Sequence, residues 1–127
     1  MTSRILIVDD SVHDTTLILH ALMDCHGDHV YENTGDSESA YRVLSERRFD
    51  LVVLDITLPD VDGFELMRWL NQDLAYQVPV LIVSQSALDS HKYLASKLGA
   101  VDYVEKTLDF AEFKTAIRTA LKRQGLC

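Results

Sequence analysis

Basic side chains are in short supply in this sequence. Twelve Lys and Arg stand against twenty Asp and Glu, a formal net charge of −8, whereas a nucleic-acid surface needs clustered cations. Only "LKRQGLC" at the end is locally basic, and it is too short for a binding patch. Cysteine is nearly absent. Cys25 and Cys127 lie far apart without CxxC spacing, which speaks against a disulfide framework and for incidental thiols in a reducing compartment. No apolar run approaches the roughly 20 residues of a membrane span, and "MTSRILIVDD" shows no signal-peptide cleavage region. A cytoplasmic location away from the membrane is expected. With two prolines and five glycines, the chain shows no linker, repeat or low-complexity segment.

What is present is the composition of an ordinary globular domain. The 127 residues, 47% apolar and 25% charged, suffice for one hydrophobic core, so residues 1–127 read as one domain. "RILIV" (4–8), "HVYEN" (29–33), "LVVLD" (51–55), "PVLIV" (79–83) and "VDYVE" (101–105) are short and rich in Val, Ile and Tyr, and predict strands. Helical spacing fills the intervals. Ala40, Val43 and Leu44 form one stripe; Leu66, Trp69 and Leu70 a second; Phe110, Phe113, Ala116, Ile117 and Leu121 a third. Gly99 predicts a helix stop, and "HDTTLILHALMDC" is the weakest helix because of its threonines. Runs such as "ILIV" and "LVVL", apolar on both faces, suit parallel strands sandwiched between helices.

In a parallel α/β sheet, ligands bind beyond the carboxyl ends of the strands. There the first strand offers Asp9 and Asp10, the third Asp55, the fourth Ser84 and the fifth Lys106; the second offers only Asn33 and Thr34. Carboxylates about one strand spacing apart repel by on the order of 4 kcal/mol at an effective dielectric near 20, so three together need a cation or protons. A hard, oxygen-seeking divalent ion fits. No His or Cys stands at these ends, which disfavours zinc.

"LIVDDS", "LDITLPDVDG", "VLIVSQSA" and "GAVDYVEK", in that order and spacing, resemble the receiver domain of two-component response regulators, over about residues 4–122. The resemblance implies a three-layer, doubly wound α/β fold of flavodoxin-like type, with five parallel strands in the order 2-1-3-4-5. It also implies a function. Asp55 would accept a phosphoryl group from a histidine kinase or a histidine phosphotransfer protein. Asp9, Asp10, Asp55 and the backbone carbonyl of Thr57 would hold Mg²⁺ or Mn²⁺, and Lys106 would pair with a phosphoryl oxygen. Ser84 would be the switch hydroxyl and Tyr103 the switch aromatic, altering the face of the fourth helix, fifth strand and fifth helix. That face is also a candidate dimer contact, although Val101 replaces an acid common in relatives. Thr57, Gln85 and Ser86 would modulate the lifetime of the phosphoryl group. Pro59 and Gly63 would shape the turn after Asp55.

Two residues depart from the family pattern. Thr107 follows Lys106 where proline with a cis bond is usual, so a trans or a strained cis peptide is expected. Gln85 replaces a small residue and would partly cover the site. Plainer readings stand beside the functional ones. Asp9 suits an N-cap, Ser84 an ordinary loop, Lys106 a solvated surface and Tyr103 simple packing. "HGDH" at 26–29 reads as a surface loop, Asp60 and Asp62 as solvated turn acids, and Trp69 as core. A receiver-like interaction module independent of phosphorylation is the first alternative. A haloacid-dehalogenase-type phosphatase is less favoured, because its D-x-D would follow the first strand, where "DDS" stands. A flavodoxin is disfavoured by the lack of a Ser/Thr/Gly-rich phosphate loop.

Overall fold

A computed structural model describes residues 2–25 and 27–127. Strands β1 (Thr2–Val8), β2 (Asp28–Thr34), β3 (Leu51–Leu54), β4 (Val80–Ser84) and β5 (Asp102–Glu105) alternate with helices α1 (Val12–Met23), α2 (Ser37–Glu46), α3 (Gly63–Asp73), α4 (Asp89–Lys97) and α5 (Phe110–Arg123). All strand pairs are parallel and the order is β2-β1-β3-β4-β5.

The pleat sorts each apolar run onto two faces, because successive side chains point opposite ways. Ile5, Ile7, Leu51, Val53, Leu81, Val83 and Val104 face α1 and α5, where Ile18, Leu22, Phe113, Ile117 and Leu121 complete one core. Leu6, Val8, Val52, Leu54, Val80 and Ile82 face α2, α3 and α4, meeting Ala40, Leu44, Leu66, Met67 and Ala95. Helices therefore cover both sides, and the doubly wound three-layer expectation holds.

Local chemistry starts and stops the helices. Ser11, Asp36, Asp62 and Asp109 cap α1, α2, α3 and α5, each accepting from the backbone N–H three residues on, which supplies one of the four orphan donors of a helix start. At the end of α4, Gly99 takes a φ of +92°. Its N–H donates to Ser96 O, and that of Ala100 to Ala95 O, the double bond of a glycine-terminated helix. The doubtful first helix forms; its Thr15 is buried, and Thr16 donates its hydroxyl to Val12 O.

Several expectations need correction. Cys25 and Cys127 are not incidental thiols but a disulfide pair with Cα atoms 4.7 Å apart, because the packing of α5 on α1 brings the chain's end to the end of α1. Asp60 is the exposed turn acid expected, and its carboxylate also accepts from the N–H groups of Ser37 and Glu38, joining the turn to the start of α2. Asp62 is the cap of α3. "HGDH" is not simply a loop, since Asp28 and His29 already belong to β2; His26 lies outside the described residues. Trp69 is half-buried against the α2–α3 side and meets Tyr41 edge to face, while Phe110 is 41% exposed rather than core.

Candidate functional site

Register builds the site. β1 and β3 are neighbours, with Val8 opposite Leu54, so Asp9 and Asp55 lie side by side one residue further on. Their backbones stay on the ladder. Asp55 N–H donates to Val8 O at 2.9 Å and Asp9 N–H to Thr34 O at 3.0 Å. Lys106 N–H donates to Ser84 O at 2.7 Å, fixing the end of β5 against that of β4. The side chains thus leave rigid strand ends rather than loose loops, which favours precise geometry.

Asp9, Asp10 and Asp55 each present a carboxylate oxygen, all within 4.8 Å of one another. Asp9 is 2% exposed and Asp55 8%, while Asp10 faces solvent. Two buried acids and one exposed acid, with oxygen donors alone, suit a hard divalent cation that retains water on its open side. Asp9 Oδ1 accepts from Ser11 N–H and Asp55 Oδ1 from Thr57 N–H, leaving the second oxygens for other partners.

Lys106 supplies the counter-charge. Its Nζ lies 2.9 Å from Asp9 Oδ2, 3.0 Å from Asp55 Oδ2 and 2.8 Å from Asp14 Oδ2. Burial pulls its pKa down, but the bonds to Asp14 and Asp9 and the charge of Asp55 outweigh that, so the ammonium is held above the ordinary lysine value. Asp9 does not gain in proportion. Burial lifts its pKa above the usual carboxylate range despite the Ser11 and Lys106 bonds, and the Asp55 charge adds to the rise. The difference is one of numbers: one ammonium serves three acids, and burial penalises each charge. Thr107 does not dislodge the lysine, and among the described residues no peptide is cis.

A second group lies on the segment after β4. Ser84 is buried, and its Oγ accepts from Ser86 N–H at 3.1 Å. The Tyr103 hydroxyl donates to Ser86 O at 2.8 Å, so the ring is tied inward to this loop. Ser86 Oγ accepts from Leu88 N–H and lies 2.6 Å from His91 Nδ1, while the His91 ring meets Phe64 edge to face. Thr57 and Gln85 are exposed.

Two participants, Asp14 and His91, were not foreseen. Asp14 had a signal in "SVHD", an N-cap serine with an acid three residues on. His91 had none, because its partner is chosen by how the loop folds back on α4.

Gly63 explains why the turn after Asp55 tolerates one residue only. A Cβ there would stand 2.7 Å from Asp55 O and 2.9 Å from Ile56 Cα, and both obstacles are backbone. Gly63→Ala is expected to lower unfolding free energy by about 2–3 kcal/mol, measured by urea titration. An unchanged midpoint would show that the turn can yield without loss.

Comparison with known proteins agrees with this geometry. The model of the response regulator receiver domain family matches residues 5–118. The KDP operon transcriptional regulatory protein KdpE of Escherichia coli is 36% identical over 126 residues, covering 97% of this chain and 53% of the relative. The chain spans about half the length of the curated relatives it matches. Among solved structures, the phosphorylated cyanobacterial phytochrome response regulator RcpA superposes with a TM-score of 0.87 at 22% identity, over 96% of this chain and 93% of that one. The Mn(2+)-bound form of response regulator Rcp1 gives 0.84 at 24% identity, over 94% and 92%. At such identities these two structures speak for the fold; the match from Ile5 to Arg118 speaks for kinship, and by it the chain belongs to the response regulator receiver domains of two-component signalling.

Proposed function

We propose that Asp55 is the phosphoacceptor of this receiver and that its donor is a phosphohistidine on a sensor kinase or a phosphotransfer protein. The observation that carries the reading is the buried Asp55 carboxylate beside Asp9 and Asp10, with the Lys106 ammonium 3.0 Å away. In the transfer, an Asp55 oxygen forms a bond to phosphorus while the phosphorus–nitrogen bond of the donor breaks. The electron pair leaves with the imidazole, which takes up a proton. A carboxylate needs no deprotonation for this, so positioning and charge neutralisation dominate. When bound, a divalent cation on Asp9, Asp10, Asp55 and the Thr57 carbonyl supplies positive charge to the phosphoryl oxygens; Mg²⁺ and Mn²⁺ both suit such oxygen donors. Lys106 pairs with another phosphoryl oxygen.

Ser84 and Tyr103 carry the signal onward. The Ser84 hydroxyl donates to the phosphoryl group, drawing in the loop that Tyr103 grips through Ser86, and the face of α4, β5 and α5 changes with it. Thr57, Gln85 and Ser86 flank the path of water and set the lifetime of the acyl phosphate. Apart from its own phosphorylation and dephosphorylation the chain catalyses nothing, and it works on a downstream protein or an output domain. That partner, or a second copy, docks on the same face. No helix among the described residues is long and apolar enough to cross a membrane. The reading places the chain in the cytoplasm.

The test is an intact-mass measurement. With Mg²⁺ and phosphoramidate the protein is expected to gain one phosphoryl group; Asp55→Asn, or chelator, abolishes the gain. Labelling that persists in Asp55→Asn would move the acceptor elsewhere, and no labelling of the parent chain would favour an interaction module that works without phosphate.

A further inference from the structure

Lys106 has three ammonium hydrogens, and three carboxylate oxygens receive them, on Asp14 at 2.8 Å, Asp9 at 2.9 Å and Asp55 at 3.0 Å. During phosphoryl transfer two of these acids have other work. Asp55 carries the incoming group, and Asp9 is one of the three grouped oxygen donors. Asp14 is outside that group.

Its carboxylate is also free of the duty its position suggests. Asp14 stands in the first turn of α1, three residues after the cap, and its N–H donates to Ser11 Oγ at 3.2 Å. An acid there ordinarily reaches back to the N–H of the cap residue. Here Asp9 Oδ1 already accepts from Ser11 N–H at 2.9 Å, so Asp14 turns to the lysine instead. The contact is sheltered: the Asp14 side chain is 19% exposed and that of Lys106 8%.

We propose that Asp14 is a positioning residue that holds the Lys106 ammonium in place while Asp55 accepts the phosphoryl group. This rests on the phosphoacceptor reading and acts only through Lys106. The competing effect is charge, since an acid near an incoming anion opposes its approach. The two make opposite predictions. Loss of the Asp14 charge slows transfer if the acid positions the lysine, and speeds it if repulsion dominates.

The experiment compares the parent chain, Asp14→Asn, Lys106→Ala and the double variant. Phosphoryl gain from phosphoramidate is followed by intact mass at saturating Mg²⁺ and varied donor concentration. Asp14→Asn is expected to lower the maximal rate about tenfold, the scale of one charge-assisted hydrogen bond, with the half-saturating donor concentration unchanged. In the Lys106→Ala background the same change has less than about a twofold effect, because its means of action is gone.

A second readout needs no phosphoryl transfer. Acetic anhydride labelling of Lys106, read by peptide mass, is expected to rise about fivefold in Asp14→Asn as the ammonium loses one of its anchors. Asp14→Ser serves if the asparagine variant folds poorly, since serine also suits a helix's first turn. A faster Asp14→Asn, an equal slowing without Lys106, or unchanged Lys106 labelling each overturns the proposal. Changed labelling in a parent chain that takes up no phosphate would instead leave the lysine contact standing and remove the phosphoacceptor reading.

Discussion

Lys106→Met is expected to destabilise the metal-free protein by about 3 kcal/mol, the cost of stripping a buried ion cluster of its one cation. The lysine side chain is 8% exposed, and it contacts acids whose side chains are 1%, 10% and 19% exposed. Methionine fills much of the same space, so the loss reports charge rather than a cavity. Added Mg²⁺ should restore most of it, because a ligand that binds only the folded state stabilises by about 2.7 kcal/mol at a hundredfold excess over its Kd.

The pH dependence has a definite sign. The pKa of Asp9 in the folded chain already lies above its ordinary value, chiefly through burial. Its contribution to stability is therefore present at low pH and lost as pH rises through the raised folded value. Removing Lys106 removes two influences that hold that value down, so the loss shifts toward neutral pH. In chelator, the variant should gain stability relative to the parent as pH falls from 7 toward 5. Urea titrations at several pH values measure this. Equal stability of the two proteins in chelator at pH 7 would mean that the acids do not rely on the lysine.

Reduction of the Cys25–Cys127 bond is the second large effect. The bond closes a loop with a sequence separation of 102, and opening a loop of that length returns considerable freedom to the unfolded chain. A loss of about 3 kcal/mol is expected, lowering the melting temperature by roughly 10 °C. The fold itself should survive, since two apolar layers on either side of the sheet do not depend on the bond. Phosphoryl uptake should also survive. Cys25 follows α1 and leads into β2 at the amino-terminal edge of the sheet, whereas the acids stand at the carboxyl edge. Calorimetry with and without a phosphine reductant, repeated on Cys25→Ser, tests both parts. Identical melting in the two states would show that the cross-link constrains nothing, and lost phosphoryl uptake would tie it to the site.

Much of this molecule was legible before any coordinates. Apolar runs such as Ile5–Val8 and Leu51–Leu54 named the strands, and their two-sided hydrophobicity named the layers. Asp9, Asp10, Asp55, Ser84 and Lys106 could be assigned to one edge because parallel strands all end there. Less visible were contacts chosen by three-dimensional proximity alone. Cys25 and Cys127 are separated by most of the chain, and nothing local marks them as partners. Asp60 looks like any turn acid until α2 is placed beside it. His91 meets Ser86 only because the loop after β4 folds back on its helix.

The sequence by itself determined the element order and the set of residues gathered at the carboxyl edge of the sheet. Those follow from side-chain period and from parallel strand direction. Tertiary structure alone decided which acids share Lys106, and that Asp14 is one of the three. A lysine side chain is long and chooses its partners by distance and burial, and neither quantity is written in the order of residues.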